Sequence, residues 1–474
     1  MIDSTLLISD ELENIFLPDK RLKERCYSML EKLYKSPEKT LPSTFGGRSE
    51  LKAAYRFFDQ DCVTPEIILA PHIAKTLNRI NQHPTVLLIN DTTDINMSHM
   101  GKIQDLGVLN DINSPGCLLH VLKAFTPDRL PLGVLSAQFI QRPIEKFGTH
   151  VNKHTDSIEK KESFRWLEDY RKACDVAKNS SSEVIYIADR EADLYELFYE
   201  ATKDADNADI IIRVSRDRTI LQENGISSSL YDALKNSISL GELEFYIPTI
   251  NGKKRKNRQK RDQKGRQGRK VKQEIKSLEL TLLPSRYKKK NYSPVKMYAL
   301  YVEEVNCPKD EEPITWLLFT TLKITTKEDA EKIVNFYLSR WAVETFFHVL
   351  KNGCKIEELQ FQASSRLLPC IAMYLIIAWR LLYTTMLGRH LPKVSCALVF
   401  EEDEWECAYA ITKKKKPPLD PPSLEEMINM VAMMGGYLGR KNDGPPGPKA
   451  MWIGLQKLYF NTEGWSAHKA FMSN

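Results

Sequence analysis

The chain has 474 residues, 42% of them hydrophobic and 27% charged, with a formal net charge of +6. Such a chain can bury a substantial core, and a length prior of about 150 residues per domain suggests roughly three domains. The nine cysteines are scattered, odd in number and contain no C-x-x-C pair. That argues against a disulfide frame or a zinc site and for reduced thiols in a cytosol. The polar, acidic N-terminus is unlike a signal peptide.

In chain order, residues 1 to about 70 are predicted helical. Leu17 to Arg25 opens a helix that continues through Met29, Leu30 and Leu33, with Lys20, Arg21, Lys23 and Arg25 in its first turns. Cations there oppose the helix dipole, which suggests a bound anion. Gly46-Gly47 breaks the chain before Leu51 to Phe58. A solvated basic face is the alternative to a DNA-binding module.

From Thr85 the pattern changes to strands. Thr85 to Ile89 is a short apolar run ending in Asn90-Asp91-Thr92-Thr93, and Leu118 to Phe125 and Leu132 to Ile140 complete a meander. A helix at about 161–177, the strand Glu183 to Ala188 ending in Asp189-Arg190-Glu191, a helix at about 192–203 and the strand Asp209 to Val214 come next. This order, βββαβαβ, implies a mixed sheet flanked by helices.

Alternating stretches at 278–282, 297–302 and 313–319 read as further strands. The basic block from Lys253, Lys254, Arg255 and Lys256 to Lys272 is expected to be a solvated loop or a partner for polyanion. Thr326 to Gly353 is expected as one helix, with Thr326 and Asp329 as a capping pair and Gly353 at the stop. At 100° per residue, Tyr337, Arg340, Glu344 and Lys351 form one stripe. Its carboxylate can hold a divalent metal, while the phenol and two cations can grip a phosphate.

The remainder is expected to be helical. The apolar run Leu367 to Trp379 contains Pro369, stops at Arg380 and is predicted too short to span a bilayer. Lys413 to Pro422 and the glycine-rich stretch 435–447 interrupt the helices, and the latter lacks a P-loop order.

Asp91 and Asp189, each following an apolar strand, and Glu344 on the later helix can form a hard oxygen site suited to magnesium or manganese. Ile89-Asn90-Asp91-Thr92-Thr93, Ile187-Ala188-Asp189-Arg190-Glu191-Ala192-Asp193 and the Y-x-x-R-x-x-x-E-x-x-x-x-x-x-K series resemble the bacterial DDE transposases of the insertion-sequence-four family.

The resemblance implies an α/β fold. An RNase H-like mixed-sheet catalytic core carries a β-rich insertion and is flanked by helical N-terminal and C-terminal domains. The expected division is 1–70 for DNA binding, 71–365 for the core with its insertion at about 216–322, and 366–474 for dimerisation. The same resemblance makes Asp91, Asp189 and Glu344 a catalytic metal triad for two Mg2+ ions, with Mn2+ a substitute. Tyr337, Arg340 and Lys351 become contacts to the phosphate at the transposon end, and Trp316 the contact to a flipped base. Arg190 and Arg213 join Lys20, Arg21, Arg25 and the 253–256 block as further DNA contacts. The implied partners are double-stranded DNA, as transposon-end inverted repeats and target, and a second copy of the chain. No membrane is expected, and the location is the bacterial cytoplasm at the nucleoid. A non-catalytic inhibitor of transposition and an RNase H-like nuclease without strand transfer are the alternatives.

Overall fold

The computed structural model describes residues 8–101, 103–146, 157–214, 216–221, 225–249, 265, 267–440 and 443–472. Four helices come first: α1 (Lys20–Lys35), α2 (Leu41–Phe45), α3 (Arg48–Phe58) and α4 (Pro65–Ile80). Then come β1 (Thr85–Asn96), β2 (Gly116–Phe125), β3 (Pro131–Ile140), α5 (Phe164–Asn179), β4 (Glu183–Ala188), α6 (Tyr195–Ala201) and β5 (Asp209–Arg213). These carry the expected order. The next segment holds β6 (Thr219–Leu221), β7 (Ser227–Ser229), α7 (Leu230–Lys235), β8 (Ser239–Ile247), β9 (Arg269–Leu282), β10 (Val295–Val305) and β11 (Thr315–Thr320). The chain ends in α8 (Lys327–Leu338), α9 (Trp341–His348), α10 (Ser364–His390), α11 (Glu402–Lys413), α12 (Leu424–Met434) and α13 (Pro448–Met472).

Two compact units form: Met1–Val151 with Ser180–Glu183 and Ser339–Asn474, and Asn152–Asn179 with Val184–Leu338. Helix α4 runs through residue 70.

In the first unit, β1, β2 and β3 form the antiparallel meander, and α10 packs on α4 and β3. The predicted stop at Arg380 is corrected. Arg380 is buried and α10 runs on to His390, because Leu381, Leu382 and Leu387 continue the apolar run. At 27 residues α10 is long and apolar enough to cross a bilayer, yet 89% of its most apolar window is buried inside the protein. It is a core rod. Trp379 on it donates its indole N–H to the Pro131 carbonyl at 2.8 Å, and the Arg79 guanidinium lies over the same ring. Arg79 also pairs with Glu11, which bonds His72. Burial opposes the Glu11 charge, but these two partners hold its carboxyl down at about 2.

In the second unit, β4 and β5 are parallel, while β11 runs antiparallel to β5 and leads on through β10 to β9. This is a mixed sheet. α5 packs against it through Tyr170, whose hydroxyl donates to the Ala208 carbonyl at 2.9 Å.

One group in the first unit is anomalous. Lys123 on β2 is fully buried, and its Nζ lies 3.1 Å from the centroid of Phe346 with no hydrogen-bond partner among the described residues. Burial drives its pKa well below the ordinary lysine value. An apolar side chain of like length removes that desolvation cost, so Lys123→Met is expected to raise stability by about 1–3 kcal/mol. Denaturant unfolding of both proteins measures the difference.

Candidate active site

Asp91 lies in the middle of β1, opposite Val121, and not at a strand end. The polar residues Asn90 to Thr93 suggest a turn, but pairing with β2 carries the strand on to Asn96. The Asp91 side chain is 14% exposed. Its Oδ1 accepts from the Thr92 N–H at 2.8 Å, and its Oδ2 accepts from Arg340 Nη1 at 2.7 Å. Beside it, Thr92 Oγ1 sits 2.7 Å from Nδ1 of the buried His120.

The expected single helix from Thr326 to Gly353 is interrupted. Its start holds: Asp329 accepts from the Thr326 N–H at 3.0 Å, and Thr326 Oγ1 accepts from the Asp329 N–H at 3.2 Å. The backbone and hydroxyl donors of Thr325, with those of Thr326, hold the Asp329 carboxyl at about 2. After Leu338 the helix breaks. Ala342 and Val343 bond back only three residues, to Ser339 and Arg340. Beyond α9 the chain widens into a π turn, Val349–Gly353. A tight turn and a wide turn spoil the constant 100° per residue on which the stripe depends.

The four signature residues therefore have different surroundings. Tyr337 belongs to the second unit and is buried, with its ring centroid 6.5 Å from that of the half-exposed Trp316 on β11. Arg340 and Glu344 share the first unit, where Arg340 Nη2 donates to Glu344 Oε1 at 2.8 Å. Lys351 lies in the π turn, and its Nζ is 3.6 Å from Glu357 Oε1, which also accepts from the Asn96 N–H. Arg340 and Lys351 are thus engaged by carboxylates and do not stand open as phosphate-ready cations.

Asp189 belongs to the second unit. It comes directly after β4 and accepts from the Glu191 N–H at 2.9 Å, capping the short turn Arg190–Ala192. Arg190 is exposed, while Glu191 pairs with Arg165 at 2.6 Å. Arg213 ends β5, opposite Leu318, and is half-buried.

Among the described residues no group of three or more His, Cys, Asp or Glu side chains is gathered as a ligand set. Within the first unit, Asp91 and Glu344 nevertheless direct hard carboxylate oxygens at one cation, the Arg340 guanidinium. That donor chemistry fits a hard divalent ion.

On α1, the predicted cations fall as expected. Arg21 and Arg25 are exposed, and Lys20 lies 3.7 Å from Glu24. The anion at this helix start is the chain's own Asp19, which accepts from the Arg21 N–H at 2.6 Å. The basic block needs a correction. Arg269, Lys270 and Lys272 belong to β9, where Lys272 pairs with Glu242 at 2.7 Å, Lys270 with Glu244, and Arg269 with Glu304. Lys253, Lys254, Arg255 and Lys256 lie outside the described residues.

Sequence reading passed over His120, Lys123 and Glu357. The first two left a signal, as polar residues inside the otherwise apolar run Cys117 to Phe125. Glu357 left none.

Three family models match the chain: Transposase DNA-binding over residues 5–63, Transposase DDE domain over 165–377, and Transposase Tn5 dimerisation domain over 376–473. Between them they take in most of the sequence, and the chain belongs to the DDE transposases. It resembles the Tn5 transposase, and its fold is α/β, with a mixed sheet and helical flanks. It is thus a DNA transposase, a metal-dependent nuclease and strand transferase. Among solved structures, a piggyBac transposase in a synaptic complex with hairpin DNA is similar at 10% identity and a TM-score of 0.38, over 94% of this chain and 76% of that one.

Proposed function

We propose that the chain is a cut-and-paste transposase whose catalytic triad is Asp91, Asp189 and Glu344. The observation that carries this is the shared cation: Asp91 from β1 and Glu344 from α9 close on Arg340 at 2.7 and 2.8 Å. Two carboxylates from distant segments meet at a point that demands positive charge.

The three carboxylates would hold two Mg2+ ions, with Mn2+ a substitute. When bound, such ions acidify water and neutralise charge on the oxygens of an in-line phosphoryl displacement. The chain's own residues do the rest. Arg340 and Lys351 supply the positive charge that orients the end phosphate, and the Tyr337 hydroxyl adds a donor. Water nicks at the transposon end. The freed 3′ hydroxyl attacks the opposite strand and closes a hairpin, with the broken strand's oxygen as leaving group. A second water opens it, and the 3′ end then attacks target DNA. Trp316 offers a ring face to the base that the hairpin turn displaces.

In this reading, residues 1–70 bind DNA through Lys20, Arg21 and Arg25, residues 71–365 hold the core and its insertion, and residues 366–474 pair two copies on two ends. Arg190, Arg213 and the 253–256 block serve as backbone contacts. The protein works in the bacterial cytoplasm, on the nucleoid.

Three outcomes test this. Asp189→Ala should abolish nicking of labelled ends while binding them within a few-fold of the wild type; normal cleavage removes Asp189 from the triad. Trp316→Ala should spare end binding and the first nick. It should slow hairpin formation by about tenfold to a hundredfold, the rate equivalent of one base stacked on an aromatic ring. Equal loss at every step, with a lowered melting temperature, makes Trp316 a structural residue instead. Neutralising Lys253, Lys254, Arg255 and Lys256 should lower the salt slope of DNA binding by about 0.9 per lost phosphate contact. The same change at Lys270 and Lys272 should leave the slope unaltered, since glutamates already neutralise both.

A further inference from the structure

Arg340 has two carboxylate partners from separate parts of the first unit, and its side chain is 13% exposed. This is not the solvated ion pair of an ordinary helix face, where both partners stay wet and the geometry is loose. One nitrogen donates to Asp91 and another to Glu344. A guanidinium keeps its charge at any ordinary pH, so the two acids face a permanent counter-ion. A divalent ion entering between Asp91 and Glu344 needs the same oxygen lone pairs and meets a fixed positive charge there. A DNA phosphate offers the guanidinium an alternative of equal quality, because it too accepts two parallel N–H bonds.

Building on the metal and phosphate roles proposed above, we infer that Arg340 is a built-in counter-ion that closes Asp91 and Glu344 to divalent ions until a DNA phosphate draws it away. The consequence is coupling. Whatever moves Arg340 onto phosphate raises the affinity of the two acids for the ion, and by reciprocity the bound ion tightens the grip on DNA. The free protein then carries no armed hydrolytic site. Arg340 acts here as a positioning residue, through the carboxylates.

The test is a titration of the full-length, DNA-free protein with Mn2+, read by loss of the free-ion paramagnetic resonance signal. Arg340→Ala should bind Mn2+ about tenfold more tightly than the wild type, within the usual range of coupling between two sites. Arg340→Lys keeps the charge and should stay closer to the wild type. Melting curves in chelator establish that each variant is folded. Glu344→Gln should weaken the ion in either background. If Arg340→Ala and wild type bind alike while Glu344→Gln still weakens binding, the counter-ion role is overturned and the metal site stands. If Glu344→Gln changes nothing, the metal assignment falls as well. A further arm needs no variant: a duplex of the terminal repeat flanking the gene should raise the wild-type Mn2+ affinity by a similar factor. No gain on adding that duplex overturns the inference.

Discussion

A carboxylate at the point where strand β1 passes from buried to half-exposed is the constraint on which much of this structure turns. Asp is a poor strand residue, and Asp91 comes after Ile89 and Asn90, both fully buried. An ionised group there is costly unless it is paired and hydrogen-bonded. The Thr92 N–H satisfies one oxygen and Arg340 the other. That need fixes where α9 begins, because Arg340 must reach β1. Glu344 then arrives one turn later on the same side. The tight turn at Ser339 and Arg340 sits where the chain leaves α8 to make this contact.

Where the sequence was informative, the determining interactions were local. The cap at Thr326 and Asp329 spans three residues, and the predicted start and stop of that region agree with the structure. Strand β4 is bounded by residues that announce it, since Ile185, Tyr186 and Ile187 are buried and Asp189 caps the short turn after them. Residue types at the signature spacing were legible even though the geometry behind them was not.

The misreadings share a cause: the partner was far away in sequence. Asn90 to Thr93 look like turn formers, yet β2 supplies a ladder partner for each. Arg380 looks like a helix end, yet burial among other helices carries α10 past it. Lys270 and Lys272 look like the tail of a solvated cationic run, yet Glu244 and Glu242 on β8 neutralise them. A window of like charge reveals self-repulsion but not the strand that relieves it. The single-helix reading failed for a related reason. Periodicity assumes an unbroken geometry, and a long-range ion pair can reset it.

The long buried helix α10 has one more implication. The catalytic-domain model ends at residue 377 and the Tn5-type model begins at 376, so their shared boundary falls inside this continuous rod. Just upstream, a side chain on Gly353 would press on Trp452 of α13. The rod belongs wholly to the first unit, so the two matched segments meet within one continuous helix there. A gene fusion or a stop codon placed at that boundary would sever the central beam of the first unit, not detach an appendage.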